Sequence, residues 1–347
     1  MPGDKESRAL DHGQPTGEDR MSVLVTGGAG FIGSHITEAL LQRGHEVVVL
    51  DNLDPYYDVD IKRQNIERCR EIETGRFEFV EGSITDERLV EEVFSTYDVE
   101  FVYHEAARAG VRTSVEQPLF YERNNVGGLL TLLEAATDHG VERFVNASSS
   151  SVYGRPDYLP YDEAHPNYPK SPYGTTKLAA EHYCKVWQSV HGLPTVSLRY
   201  FTVYGPRMRP NMAISNFVSR GLNGEPPVIY GDGEQTRDFT YIDDVVAANL
   251  RLLETDAADG EVLNIGSTDN ITITELADHV ISQVDSELEP IYEAEQQADA
   301  RHTHADVSKA RDLIGYAPST DIREGVGEFI EWYRQNREWY EPLVVSS

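Results

Sequence analysis

SVLVTGGAGFIGSH, residues 22–35, decides the fold of this 347-residue chain. Ser22 to Thr26 is short, apolar and β-branched, the pattern of a buried strand, and the residues after Phe31 read as a helix. Between them, Gly27 permits the tight turn, Gly30 lets a pyrophosphate approach the backbone, and Gly33 allows close packing of helix on strand. The helix start adds N–H donors and a partial positive charge. The next strand, EVVVL (46–50), runs into Asp51, 18 residues after Gly33. That is the spacing of a carboxylate that accepts hydrogen bonds from an adenosine ribose. A carboxylate there repels a 2′-phosphate, so the expected cofactor is NAD rather than NADP.

Working outward, strand patterns recur at 77–80, 100–104, 143–147 and 195–199, alternating with helical patterns at 31–43, 61–72, 86–97, 117–139 and 173–191. This rhythm predicts an α/β, Rossmann-type doubly wound parallel sheet. After about residue 200 Gly and Pro become dense, as in YGPRMRP (204–210) and GEPPVIYGDGEQ (224–235), which predicts a smaller mixed C-terminal substrate lobe. The expected division is a disordered extension over 1–20, an NAD-binding domain over 21–200, a mainly substrate-binding lobe over 201–340 with segments returning to the sheet, and a tail over 341–347.

Thirty Lys and Arg against 59 Asp and Glu give a net charge of −29, which disfavours nucleic-acid binding. No apolar run approaches the roughly 20 residues of a bilayer span, so no membrane partner is expected. The acids are spread along the chain and the bases are 24 Arg and 6 Lys, a balance suited to a halophilic cytoplasm, where carboxylates keep a protein hydrated at high salt. Cys69 and Cys184 form no CxxC, and the polar first 20 residues lack a secretory core, so a reducing, cytoplasmic setting is expected. His302 and His304 lack further ligands in the sequence, and no metal is predicted.

Tyr173-Gly-Thr-Thr-Lys177 is a YxxxK pattern on a helix, where an i,i+4 pair shares one face. It follows a Ser-rich strand end, NASSSSVYG (146–154). A tyrosine acts as a base near neutral pH only if its phenolate is stabilised, by about 4 kcal/mol for about 3 pH units. Lys177 and a cationic nicotinamide ring are the expected source, with a serine hydroxyl sharing the substrate oxygen.

These motifs, with VYHEAARAG (102–110), NNVGGLLTLLEAA (124–136), LRYFTVYGPR (198–207) and RDFTYIDDV (237–245), make the chain resemble the extended short-chain dehydrogenase/reductases of the NAD-dependent nucleotide-sugar epimerase/dehydratase family, from Met21 to about Trp339. The resemblance implies a catalytic Ser149, Tyr173 and Lys177. It implies a cofactor pocket of Gly27, Gly30, Phe31, Ile32, Gly33, Asp51, Asn52, Ser83, Ile84, Ala106, Ala107, Asn125, Tyr173, Lys177 and Phe201. It implies substrate contacts from Ser149, Ser150, Ser151, Thr202, Arg209, Asn216, Arg237 and Arg301, with Arg112 near the sugar, and a homodimer paired through helices such as 117–139 and 173–191. The chain departs from the family's pattern at Ser83, where an Asp is usual, and at Glu105, where an apolar residue is common.

Ser150 and Ser151 stand where a 4,6-dehydratase resembling this chain carries Asp-Glu, and where a UDP-glucuronate decarboxylase carries Glu at the second position. Two serines of high pKa replace those acids poorly, which favours 4-epimerisation. Thr202 in place of the Asn usual in UDP-glucose 4-epimerases, together with FTVYGPR-x-RP-x-MA, resembles UDP-glucuronate 4-epimerases. Thr202, Ser150, Ser151 and Arg209 then suit a C6 carboxylate. The alternatives are an epimerase of UDP-glucose or UDP-N-acetylhexosamine, a decarboxylase or other nucleotide-sugar lyase, and a non-catalytic NAD-binding sensor.

Overall fold

The computed structural model describes residues 20–284, 287–294 and 300–345. Its first half runs β1 (Ser22–Thr26), α1 (Phe31–Gln42), β2 (Glu46–Asp51), α2 (Val59–Arg70), β3 (Arg76–Glu81), α3 (Glu87–Tyr97), β4 (Phe101–His104), α4 (Val111–Glu116), α5 (Pro118–Glu122), a π-helical turn (Arg123–Gly127), α6 (Gly128–Asp138), β5 (Arg143–Ser149), α7 (Pro172–His191) and β6 (Thr195–Tyr200). The second half holds β7 (Thr202–Tyr204), α8 (Ala213–Leu222), β8 (Val228–Tyr230), β9 (Thr236–Arg237), β10 (Phe239–Tyr241), α9 (Ile242–Arg251), β11 (Val262–Ile265), β12 (Ile271–Thr272), α10 (Ile273–Val284), β13 (Ile291–Glu293), α11 (Ser308–Ile314) and α12 (Ile322–Val345).

Seven strands form one parallel sheet in the order β11-β6-β5-β4-β1-β2-β3. Val23, Leu24 and Val25 have no exposed surface, because a parallel strand is covered on both faces. Each such side chain contributes about 1.5–3 kcal/mol of burial. The chain leaves β1 toward β2 and β3 and returns on the other side at β4. The resulting crevice, beyond the carboxyl ends of β1 and β4, is where open α/β sheets take their ligands.

One core layer, with Val90 and Phe94 of α3, Leu129 and Leu132 of α6, and Cys184 of α7, covers one face of the sheet. The layer on the other face starts from Ile36 and Leu40 of α1 and continues without a break into Val245 of α9 and Phe329 and Tyr333 of α12. The two halves therefore share a core, and β11 returns from the second half to the sheet edge beside β6. The rest of that half is built from two-stranded pairs, β7 with β10, β8 with β13 and β9 with β12.

The helix expected over 117–139 is interrupted by the π-helical turn, whose extra residue turns Asn125 inward, and α12 runs through Val345, across the boundary expected at 341. Asp51 ends β2, as the sequence reading has it. The disordered extension expected over 1–20 lies outside the described residues apart from Arg20, whose guanidinium donates to Gly44 O at 2.8 Å. Among the described residues no helix is long and apolar enough to cross a membrane.

Candidate active site

A cleft of about 730 Å³ opens at the crevice and adjoins a second cavity of about 870 Å³ in the C-terminal half; Arg112, Thr202, Asn211, Met212 and Ala213 line both. The cleft floor is set by β5 and α7. Ser149 ends β5, and its hydroxyl accepts from Ser151 N at 3.1 Å. Ser171 caps α7 by accepting from Gly174 N at 3.1 Å, and Pro172 starts the first turn. A Cβ on Gly174 would lie 2.5 Å from Ser151 O, so only glycine lets α7 seat this closely on the serine turn. This packing brings Tyr173 within hydrogen-bonding reach of Ser149. Burial pushes the Tyr173 phenol up, while Ser149 and the Arg209 guanidinium pull it back. One turn on, Lys177 is buried and donates to Ala147 O at 2.6 Å. Burial draws its ammonium down, and Glu105 opposes that.

At the other end, Gly27 has φ +72°, and a Cβ there would lie 2.6 Å from Ala106 N, so β1 and β4 close on each other only with glycine. Helix α1 starts at Gly30 without a side-chain cap or an acidic residue in its first turn, which leaves its N–H groups and positive end for an anion. Asp51 accepts from Ala29 N at 3.2 Å and Leu53 N at 2.8 Å; burial raises its carboxyl, with Lys62 opposing. Phe31, Ile32, Gly33, Asn52, Ser83, Ile84, Ala106, Ala107 and Phe201 also line this cleft. The Ser83 hydroxyl accepts from Thr85 N at 3.2 Å.

Ser150, Ser151, Thr202 and Arg209 line the cleft, and Thr202 borders the second cavity as well. Asn216, Arg237 and Arg301 line that second cavity. Arg237 donates to Thr236 O at 2.9 Å and Arg301 O at 3.1 Å, and Arg301 pairs with Asp232 at 2.6 Å. Asn125 is the exception among the expected site residues. It is buried behind the cleft wall, where its amide accepts from Arg108 N at 2.7 Å and donates to Thr176 Oγ1 at 3.0 Å. It shapes the loop after β4 rather than lining the cleft.

Residues 23–266 match the NAD dependent epimerase/dehydratase family. The UDP-glucuronate 4-epimerase of Thermodesulfobacterium geofontis is 37% identical over 323 residues, 93% of this chain and 99% of that protein. The chain belongs to this family. Among solved structures, the UDP-glucuronic acid 4-epimerase of Bacillus cereus in complex with UDP-glucuronic acid and NAD superposes with a TM-score of 0.86 at 36% identity, covering 91% of this chain and 99% of that one. The UDP-glucose 4-epimerase of Thermotoga maritima with UDP-glucose gives a TM-score of 0.85, also at 36% identity, covering 91% and 100%. The chain is thus an enzyme of the nucleotide-sugar epimerases with NAD as its cofactor, and the uncapped start of α1, the glycine turn and the Asp51 carboxylate fit that dinucleotide.

In this epimerase the structure adds cleft residues that sequence reasoning passed over. The segment after β2 carries Asp54, Tyr56 and Lys62 across the cleft. Arg108 pairs with Asp54 and stacks its guanidinium 4.4 Å from the Tyr56 ring centroid, and Arg209 lies 5.7 Å from the same ring. The signal available was DPYYD (54–58), an aromatic pair in an otherwise polar connection; Tyr57 is buried in the core and Tyr56 packs against it. Glu105, the departure noted in the sequence, lines the cleft and accepts from Tyr200 Oη at 2.9 Å.

Proposed function

We propose that this enzyme interconverts UDP-glucuronate and UDP-galacturonate by inverting C4 through a transient 4-keto sugar. The observation that carries the sugar assignment is the donor wall: Arg209, Thr202, Ser150 and Ser151, a guanidinium and three hydroxyls, line the same cleft as Tyr173, with Arg209 acting on its phenol. A carboxylate on C6 satisfies such a donor set, whereas a hydroxymethyl group leaves the guanidinium without a charged acceptor. Neither acid needed for elimination or decarboxylation stands at positions 150 and 151.

Bound NAD supplies the acceptor and donor of hydride at C4. Tyr173 takes the C4 hydroxyl proton and later returns it, with Ser149 sharing the substrate oxygen and Lys177 holding positive charge behind the pair. Asp51 holds the adenosine ribose, and the start of α1 the pyrophosphate. Arg237 and Arg301 grip the diphosphate of the sugar nucleotide, and Asn216 contributes from α8. A 4-keto uronate is a β-keto acid that loses CO2 when its carboxylate bond aligns with the carbonyl π system. The donor wall pins the carboxylate away from that alignment.

The enzyme works as a homodimer in a salty cytoplasm. Val115, Leu119, Val186 and Val190 expose 56%, 81%, 47% and 69% of their surface on α4, α5 and α7, an apolar face suited to a second copy. The net charge of −29 supports the halophilic setting. Nucleic acid is not a partner. End-point proton NMR with UDP-glucuronate, UDP-glucose and UDP-N-acetylglucosamine in separate tubes tests the assignment. UDP-galacturonate from the first is expected; turnover of a neutral sugar alone, or CO2 release exceeding epimer formation, overturns it.

A further inference from the structure

Arg209 is the cation of the donor wall, and in a chain with 59 Asp and Glu it is half-buried without one of them beside it. Among the described residues its side chain makes no ion pair and no hydrogen bond. Its backbone is fixed, with Met212 N donating to Arg209 O at 3.2 Å and Tyr340 Oη donating to Met208 O at 2.8 Å. What the guanidinium meets is the ring of Tyr56, 5.7 Å from its centroid and within reach of a cation–π contact. That ring is itself clamped. The Arg108 guanidinium lies 4.4 Å from the same centroid and 5.3 Å from that of Phe120, and it pairs with Asp54. Asn125 holds the Arg108 backbone in both directions, accepting from its N at 2.7 Å and donating to its O at 3.0 Å. On the other side Lys62 Nζ donates to Asp54 O at 2.9 Å. Gly110 has φ +110°, and a Cβ there would lie 2.3 Å from Tyr56 Oη, so the hydroxyl end of the ring fills a notch that only glycine leaves open.

We infer that Tyr56 is a specificity-determining positioning residue: its ring, clamped by the Asp54–Arg108 pair and the Gly110 notch, is the platform that holds the Arg209 guanidinium in the cleft for the acid group of the sugar. This rests on Arg209 taking a C6 carboxylate, the reading given under the proposed function. A protein carboxylate would hold the guanidinium as firmly, but it would also neutralise it and compete with the sugar. An aromatic face orients a cation and leaves its charge and its N–H donors for the ligand. Two guanidinium groups on one ring repel each other, and the Asp54 carboxylate offsets the charge of Arg108, so the ring keeps its attraction for Arg209. The π-helical turn then has a part in the site, because the Asn125 it turns inward fixes the loop that carries both Arg108 and Gly110.

The test measures Kd for UDP-glucuronate and for UDP-glucose by calorimetry on NAD-loaded protein carrying Tyr173→Phe, so that neither sugar turns over. The ratio of the two constants removes whatever a substitution does to the grip on the nucleotide. Tyr56→Leu is expected to lower the preference for the uronate about fivefold, and Tyr56→Phe, which keeps the ring, to leave it within about twofold. Asp54→Asn, which leaves the Arg108 charge unopposed on the ring, is expected to lower the preference as well, and it carries the test if Tyr56→Leu does not fold. In an Arg209→Ala background Tyr56→Leu is expected to change the preference no further, because the ring acts through that guanidinium. A preference that falls in Arg209→Ala but holds in Tyr56→Leu and Asp54→Asn overturns the platform and leaves the uronate reading standing. So does a Tyr56→Leu effect of equal size with and without Arg209. A preference untouched by Arg209→Ala sinks the carboxylate reading itself, and the platform with it.

Discussion

Replacing Arg209 by alanine tests the donor wall quantitatively, because the residue acts in two ways that respond differently to the sugar. On the proposed assignment it offers a C6 carboxylate a charge-assisted contact, and it also draws the neighbouring Tyr173 phenol down. A charge-assisted hydrogen bond contributes about 1.5–3 kcal/mol. Arg209 is half-buried, so solvent holds the value near about 2 kcal/mol, or about 30-fold in kcat/KM. The effect on Tyr173 is common to every substrate, so it cancels in a ratio. Initial rates with UDP-glucuronate and UDP-glucose, for wild type and Arg209→Ala in high KCl, therefore isolate the carboxylate contact. The ratio of the two kcat/KM values is expected to fall about 30-fold, with Arg209→Lys in between because it keeps the charge and loses the fork. A ratio unchanged within about twofold, with both rates reduced alike, would falsify the carboxylate role and leave Arg209 as a partner of Tyr173 alone.

Asp51→Ser removes the charge that excludes a 2′-phosphate while Lys62 stays beside it, so NADP binding should gain about tenfold on NAD in titrations of cofactor-stripped protein; an unaltered preference would place the discrimination elsewhere. Glu181→Gln strips the buried Arg199 of its carboxylate and should cost about 3–5 kcal/mol, read by calorimetry as a clear fall in melting temperature. A melting temperature within a degree of wild type would show that the 3%-exposed pair is solvated in practice. Val190→Glu, which puts a charge on the apolar face of α7, should convert a dimer to a monomer in light scattering, and a dimer that persists would move the interface off this helix.

What the sequence made legible is local and periodic. The glycine turn, the Asp at the end of β2 and the YxxxK pair each lie within one strand, turn or helix, so their spacing alone carries the chemistry. Six of the seven strands of the main sheet, short apolar runs of four to seven residues, were read nearly to their ends, and β11 was not read as a strand. The second half was not legible in that way, because strands such as β9 and β12 have two residues each, too few for alternation. The site contacts that the sequence did not show join distant stretches of chain. Glu105 meets Tyr200 95 residues on, and Arg108 meets Asp54 across 54. Asn125 was assigned to the pocket by resemblance alone, and the π-helical turn that carries it has no periodic signature distinct from a helix. Arg209 and Thr202 were legible as residue types, and the fold then brought them to Tyr173.

The most direct measurement is the ratio of kcat/KM for UDP-glucuronate to that for UDP-glucose in the unmodified, NAD-loaded enzyme. A guanidinium and three hydroxyls lining the same cleft as Tyr173 predict a ratio above about tenfold in favour of the uronate. A ratio of one or below would contradict the account and make this chain an epimerase of neutral nucleotide sugars.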